Sequence, residues 1–246
     1  MKKYIITERQ NLMLKEMMIP SGKYETKPLG DFFRLFNNPT TEFSDVSKIV
    51  RKYLENIVGI DTSTISNEKL YEYVFELRYS DKVKGLPKAL YNIGVVSGLA
   101  YHLAKKLFKL KKTPYGLSYF IHTQDSHHDY WFFDAEIRDF IGRIQVQDNH
   151  DYTSPSYTVI VSSLDPVFIG RGYGSRMYLT VLDNCEYLKS DTLLYKDSLN
   201  IWVNFLPRYV NVWAFVKGEG FVKINKNFIK PDDINYFVAS KKHNEI

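Results

Sequence analysis

Val159-Ile160-Val161-Ser162-Ser163-Leu164-Asp165-Pro166-Val167-Phe168-Ile169-Gly170-Arg171-Gly172-Tyr173-Gly174-Ser175-Arg176-Met177 is the stretch whose reading decides the fold. Its β-branched first half predicts a strand, Tyr157 to Leu164, closed by Asp165-Pro166. Three glycines fall within the next few residues, and a helix is expected from about Gly174 to Leu188. Glycine lets the chain turn tightly and lets a ligand approach the main chain. The first N–H groups of the helix have no intrahelical partner, and the helix dipole places positive potential there. A strand, a glycine turn and a helix start in this order can hold a pyrophosphate, and Arg171 can add a charge-assisted contact.

The same glycines also suit a tight turn that binds nothing. A Rossmann dinucleotide turn beginning at Gly170 and Gly172 requires glycine at position 175, which is Ser175, and needs further βα units where only about 70 residues remain. No Gly-Lys-Ser/Thr follows, so a Walker loop is excluded.

Upstream of the turn the period is two. Leu117 to Thr123, Tyr130 to Ile137 and Phe140 to Gln147 read as strands of an antiparallel meander, separated by the polar links Gln124 to Asp129 and Asp148 to Ser156. Downstream, a strand is expected over Leu199 to Asn204, a short helix over Arg208 to Lys217, and strands over Phe221 to Ile224 and Tyr236 to Ala239. The first 112 residues read as helical. Glu8 to Gln10 follow Thr7 as a capping box. Pro28 to Asn37, Ser44 to Val58 and Asn67 to Tyr79 show helical spacing, and Pro87 suits the first turn of a long helix to about Lys111.

The chain has 246 residues and is 44% hydrophobic, enough for a sizeable core. Its one cysteine, Cys185, excludes an internal disulfide framework and a cysteine-rich zinc site, and fits a reducing compartment. It is expected within the helix after the glycine turn, as a structural thiol. Met1 to Arg9 contain no apolar stretch of signal-peptide length, and the longest weakly polar window, Tyr91 to Ala104, carries His102 and two glycines. These features predict a soluble, cytoplasmic protein with no membrane partner.

Charge is uneven. Residues 1–112 hold 20 Lys/Arg against 12 Asp/Glu, a balance of +8, and residues 113–246 hold 13 against 16, a balance of −3. His102 to Lys112 reads as a basic amphipathic helix end in which Lys105, Lys106, Lys109, Lys111 and Lys112 could meet an acidic partner. The bland reading is a solvated face. His122, His127, His128, His150 and nearby aspartates match no metal-ligand spacing.

The glycine stretch resembles the acyl-CoA-binding motif of the GNAT superfamily of acyltransferases. That family shows a strand ending in Val-x-Pro, then Gln/Arg-x-x-Gly-x-Gly/Ala, then a helix. Leu164-Asp165-Pro166 stands for the strand end and Ile169-Gly170-Arg171-Gly172-Tyr173-Gly174 for the loop, with Ile169 departing from the family's Gln or Arg. Asn211-Val212-Trp213-Ala214 and Gly220-Phe221 resemble the family's later Asn-x-x-Ala and Gly-Phe. The resemblance covers about residues 131–240. It implies an α/β chain with a GNAT-like mixed, largely antiparallel sheet and flanking helices over 113–246, carrying a helical region over 1–112. Residues 1–6 could instead supply the family's first strand, making the helices an insertion.

By resemblance, the chain would transfer an acyl group from acyl-CoA, acetyl-CoA above all, to an amine. The N–H groups over Ile169, Gly170, Arg171, Gly172, Tyr173, Gly174 and Ser175 would hold the pyrophosphate. The main chain near Leu164 would pair with pantetheine where the central strands splay beyond it, and Asn211 would approach the thiol end. Glu136 is the expected base, with Asp134 and Asp165 as rivals. Many family members place a tyrosine acid on the short helix, where this chain has Val216 or Gly218, with Tyr209 nearby. A catalytically inactive protein of the same fold, engaging an acidic protein or nucleic acid through the basic half, is the second class.

Overall fold

The computed structural model describes residues 27–36, 46–67, 69–70, 93–149, 155–191, 196–225 and 234–241. Among the described residues, helices come first, including α1 (Lys27–Arg34), α2 (Val46–Tyr53), which runs on as a π turn over Leu54–Val58, and α3 (Ile93–Leu107). Nine strands follow: β1 (Lys111–Lys112), β2 (Ser118–Gln124), β3 (His127–Asp134), β4 (Asp139–Asp148), β5 (Ser156–Leu164), β6 (Tyr187–Lys189), β7 (Asn211–Val216), β8 (Gly220–Lys223) and β9 (Ile234–Ser240). Helix α4 (Tyr173–Leu182) joins β5 to β6, and α5 (Lys196–Asn200), extended by a π turn over Ile201–Phe205, precedes β7. Among the described residues the strands form one mixed sheet in the order β1-β2-β3-β4-β5-β6-β9-β7-β8. Among the described residues only the β5–β6 pairing is parallel. The expected α/β class with a largely antiparallel sheet and flanking helices is therefore observed.

Period two sends side chains to opposite faces of the sheet. Tyr119, Tyr130, Phe132, Ile144 and Val146 form one core with residues of α4 and of the segment around Trp202. Phe120, Trp131, Phe133 and Phe140 form a second core with α1, α2 and α3. Phe32 of α1 is fully buried, its ring 5.4–6.4 Å from those of Phe33, Phe36, Phe120, Trp131, Phe133 and Phe140. Each fully buried aromatic or aliphatic side chain of this kind contributes about 1.5–3 kcal/mol. The basic half thus closes over the face of β2–β4.

Several expected boundaries move. Residues Leu199 to Asn204 are helical, because Trp202 and Leu206, four apart, are both fully buried. Residues 211–216 are a strand, because Val212, Ala214 and Val216 are buried at period two. Helix α4 stops at Leu182, so Cys185 lies in the link to β6. Burial raises that thiol's pKa to about 12, which keeps it protonated. Helix α3 ends at Leu107, and Lys111 and Lys112 form an exposed edge strand paired to β2. The expected capping box at Thr7, a first strand over residues 1–6 and most of the helix expected over Asn67 to Tyr79 lie outside the described residues.

Candidate acyl-CoA site

The C-terminal part of β5 is exposed on one side. β5 pairs with β6 only over Ser156↔Tyr187, Tyr157↔Leu188 and Thr158↔Lys189, while its pairing with β4 continues to Gly142↔Leu164. From Val159 to Leu164 no described strand pairs with the other edge of β5. The splay therefore opens earlier than the sequence led us to expect, at Val159 and not beyond Leu164. Asp165 N–H donates to Ile141 O at 2.8 Å. By alternation, Ser163 turns its main-chain groups to β4, and Ser162 and Leu164 turn theirs into the gap. The β4–β5 register slips between Gln145 and Val146, opposite Val161 and Val159, which leaves Ile160 as the extra, exposed residue of a bulge.

A tight turn closes the gap at its glycine end. The Asp165 side chain accepts Val167 N–H at 3.0 Å and its carbonyl accepts Phe168 N–H at 2.9 Å, fixing the single 3₁₀ turn Pro166–Phe168. Gly170 and Gly172 then take φ of +77° and +79°, where a Cβ is strained. Gly172 is the N-cap of α4 and supplies no side-chain cap. The first intrahelical bond is Arg176 N–H to Gly172 O, so the N–H groups of Tyr173, Gly174 and Ser175 precede the helical ladder. Arg171 N–H instead donates to Phe168 O, so it is already engaged within the turn. Gly174 is helical, and a Cβ there would sit 3.2 Å from Ile201 Cδ1 of the neighbouring helix. The side chains of Ile169 and Arg171 are exposed.

Tyr173 ties this turn to the sheet. Its hydroxyl donates to Asp134 Oδ2 at 2.8 Å, and its ring meets Phe168 edge-on at 4.9 Å. Asp134 Oδ1 accepts the N–H groups of Glu136 at 2.9 Å and Ile137 at 3.2 Å. Burial, then the bond to Asp134, pushes the Tyr173 phenol up to about 12. Tyr173→Phe leaves a buried carboxylate oxygen without its donor and is expected to cost about 1–3 kcal/mol. The raised pKa means that the neutral phenol stabilises the fold fully below pH 10.0 and ceases to as pH rises through about 12. Urea melts of wild type and Tyr173→Phe at pH 7 and pH 11 check both the loss and its shrinkage in alkali.

The expected catalytic residues fare differently. Glu136 is not in a strand. The two bonds to Asp134 end β3 early and place Glu136, exposed, in the turn 135–138 beyond the strand ends. Asp134 and Asp165 are buried and have hydrogen-bonding tasks of their own. Asn211 opens β7 in register with Ser240, with β6 and β9 between it and β5, so its Asn-x-x-Ala match does not fall on a helix. The helical segment in that place is 196–205, which contains no tyrosine. Tyr209 follows it, exposed, its ring 4.9 Å from Phe205. The Tyr173–Asp134 bond and the Ile160 bulge had no sequence signal; Val159-Ile160-Val161 fits any strand register. Away from the gap, His128 Nε2 lies 3.0 Å from Asp148 Oδ1, a cross-strand pair at the far end of β3 and β4. No helix among the described residues is long and apolar enough to cross a membrane.

The chain is similar to solved structures of GNAT-family acetyltransferases. Among them are a GNAT-family protein from Bacteroides thetaiotaomicron (17% identity, 48% of this chain and 64% of that one, TM-score 0.30). Tetrahymena GCN5 matches at 13% identity over 85% of this chain and 94% of that one, TM-score 0.32. A GNAT-family acetyltransferase from Staphylococcus aureus Mu50 matches at 9% identity over 82% and 96%, TM-score 0.31. The chain spans about two thirds of the length of the Bacteroides protein. No family model and no curated protein matches the chain.

Proposed function

We propose that the chain is an acyl-CoA-dependent N-acyltransferase, with acetyl-CoA as the donor and a primary amine as the acceptor. One observation carries this reading: β5 leaves β6 after Thr158, and the open edge runs directly into the glycine turn and the uncapped start of α4. An extended arm carrying an amide needs free main-chain groups along a strand, and a pyrophosphate needs several convergent N–H donors. Ser162 and Leu164 supply the first. Tyr173, Gly174 and Ser175 supply the second, with Arg171 as an exposed cation beside them. Bound acetyl-CoA supplies the thioester. The acceptor nitrogen attacks its carbonyl carbon, the amide C–N bond forms, the C–S bond breaks with its electrons on sulfur so that CoA leaves as a thiolate and takes a proton from solvent, and the amine proton leaves to water or a base.

Glu136 lies in the turn 135–138, at the Leu164 and glycine-turn end of the open edge where we place the pyrophosphate, so we do not assign it the amine proton. Solvent water at the exposed edge near Ile160 is the acceptor consistent with the geometry. The lone cysteine supports our placing the protein in the cytoplasm. Arg171→Ala is expected to weaken acetyl-CoA binding by about 1–2 kcal/mol without altering stability, since the main-chain donors remain. The test of the reaction is thiol release from acetyl-CoA with and without a panel of primary amines. Amine-dependent release supports transfer. Saturable binding with no release under any amine marks a binding protein of the same fold, the reading favoured by the absence of a tyrosine in 196–205.

A further inference from the structure

A second recess lies on the opposite face from α4. It is a cleft of about 340 Å³ between α2, α3 and the turn after β3. Helical spacing builds two of its walls. Tyr53 and Ile57 are four apart on α2 and its π turn, and Gly98, Tyr101, His102 and Lys105 share one face of α3. Ile137 and Arg138 close the third side. Gly98 is small for a reason: a Cβ would sit 2.5 Å from the Tyr53 hydroxyl, so the Tyr53 side chain packs directly on the α3 main chain. The Tyr53 ring lies 5.4 Å from the His102 ring.

Three features mark this cleft as more than a seam. Ile57 and Ile137 are 66% and 50% exposed, unusually open for large apolar side chains, and they flank the same recess. Arg138 holds a left-handed backbone, φ 57°, a conformation uncommon for a long side chain. It does so in the turn that Asp134 fixes, so its guanidinium is presented by a braced loop. The π turn at Leu54–Val58 is the kind of helical irregularity that recurs at functional sites. The charges are Lys105, Arg138 and, when protonated, His102, against the single, buried Asp139. Burial and the neighbouring Lys106 and Lys105 lower the His102 pKa, so an anion would have to be held chiefly by Lys105 and Arg138.

We propose that this cleft binds a small amphipathic anion: an aromatic or aliphatic body between Tyr53, Tyr101, Ile57 and Ile137, and a carboxylate or phosphate monoester at Lys105 and Arg138. An ammonium ligand is the wrong charge, so this is not where the amine of the proposed transfer enters. The cleft also absorbs part of the basic segment. Lys105 faces it, whereas Lys111 and Lys112 lie on the edge strand, so the five lysines do not present one surface to a long polyanion.

The test titrates the full chain with phenyl phosphate, phenylacetate and, as the cationic counterpart, tyramine, followed by calorimetry and by chemical shifts of the His102 ring. The expected result is saturable binding of one or both anions, none of tyramine, and a His102 pKa that rises on binding. Ile57→Glu, at an exposed position that folding does not need, should weaken anion binding at least about tenfold, and Lys105→Gln should weaken it by a similar factor. Neither should change acetyl-CoA affinity, which separates failure here from failure of the transferase reading. No saturable binding of either anion at 10-millimolar order, equal binding of tyramine, unchanged affinity in both variants, or competition by acetyl-CoA would each overturn the proposal. So would tight, salt-sensitive binding of an RNA or an acidic peptide that both variants abolish.

Discussion

Gly172→Asp should lower acetyl-CoA affinity by at least about 100-fold, or roughly 2.7 kcal/mol, while Gly172→Asn lowers it by less than about tenfold. The pair is chosen for its backbone. Position 172 has φ +79°, and Asn and Asp are the side chains that tolerate that region best after glycine. Beyond the two chain neighbours, no atom lies within 4 Å of a Cβ built there, so the first atom of either side chain has room. Both variants therefore carry similar strain, and circular dichroism should show both folded. They differ by one negative charge at the N-cap of α4, where we propose that the pyrophosphate binds. Like charges about 4 Å apart at an effective dielectric of 20 repel by about 4 kcal/mol, enough for the expected loss. Gly174→Asp is a poorer probe, because its Cβ meets Ile201 and mixes packing with charge.

Phe32→Ala is expected to destabilise the fold by about 3–5 kcal/mol, the range for emptying a fully buried aromatic site. Phe32 comes from the helical region and packs on rings from β2, β3 and β4. The loss should appear in urea melts as a lower midpoint with one transition, because sheet and helices share this core. A small effect, or a separate transition for the helical region, would show that α1 is only lightly attached.

The strands of the meander and the glycine turn were legible because their signals are local. A run of aromatics such as Tyr130-Trp131-Phe132-Phe133 states a strand, and Gly170 and Gly172 state positive φ. What misled was periodicity over short segments. Leu199, Ile201, Val203 and Phe205 alternate like a strand, yet burial belongs to Trp202 and Leu206, which only packing against Tyr178 and Phe237 selects. Asn211-Val212-Trp213-Ala214 resembles the family's Asn-x-x-Ala, yet it lies in a strand that pairs with β8 and β9. The strand expected to reach Ile137 stops at Asp134 for a different reason: the Asp134 side chain competes for the main chain, ends the strand three residues early and leaves Glu136 in a turn. The open edge of β5 could not be read from composition at all, since it depends on how far β6 extends beside it.

The account stands or falls on one titration. Calorimetry of the wild-type chain with acetyl-CoA should give saturable, single-site binding below the millimolar range, with CoA competing for the same site and Gly172→Asp removing it. No heat at millimolar acetyl-CoA, or affinity that Gly172→Asp leaves unchanged in a folded protein, would mean that the glycine turn is an inert connection and that the open edge of β5 receives some other group.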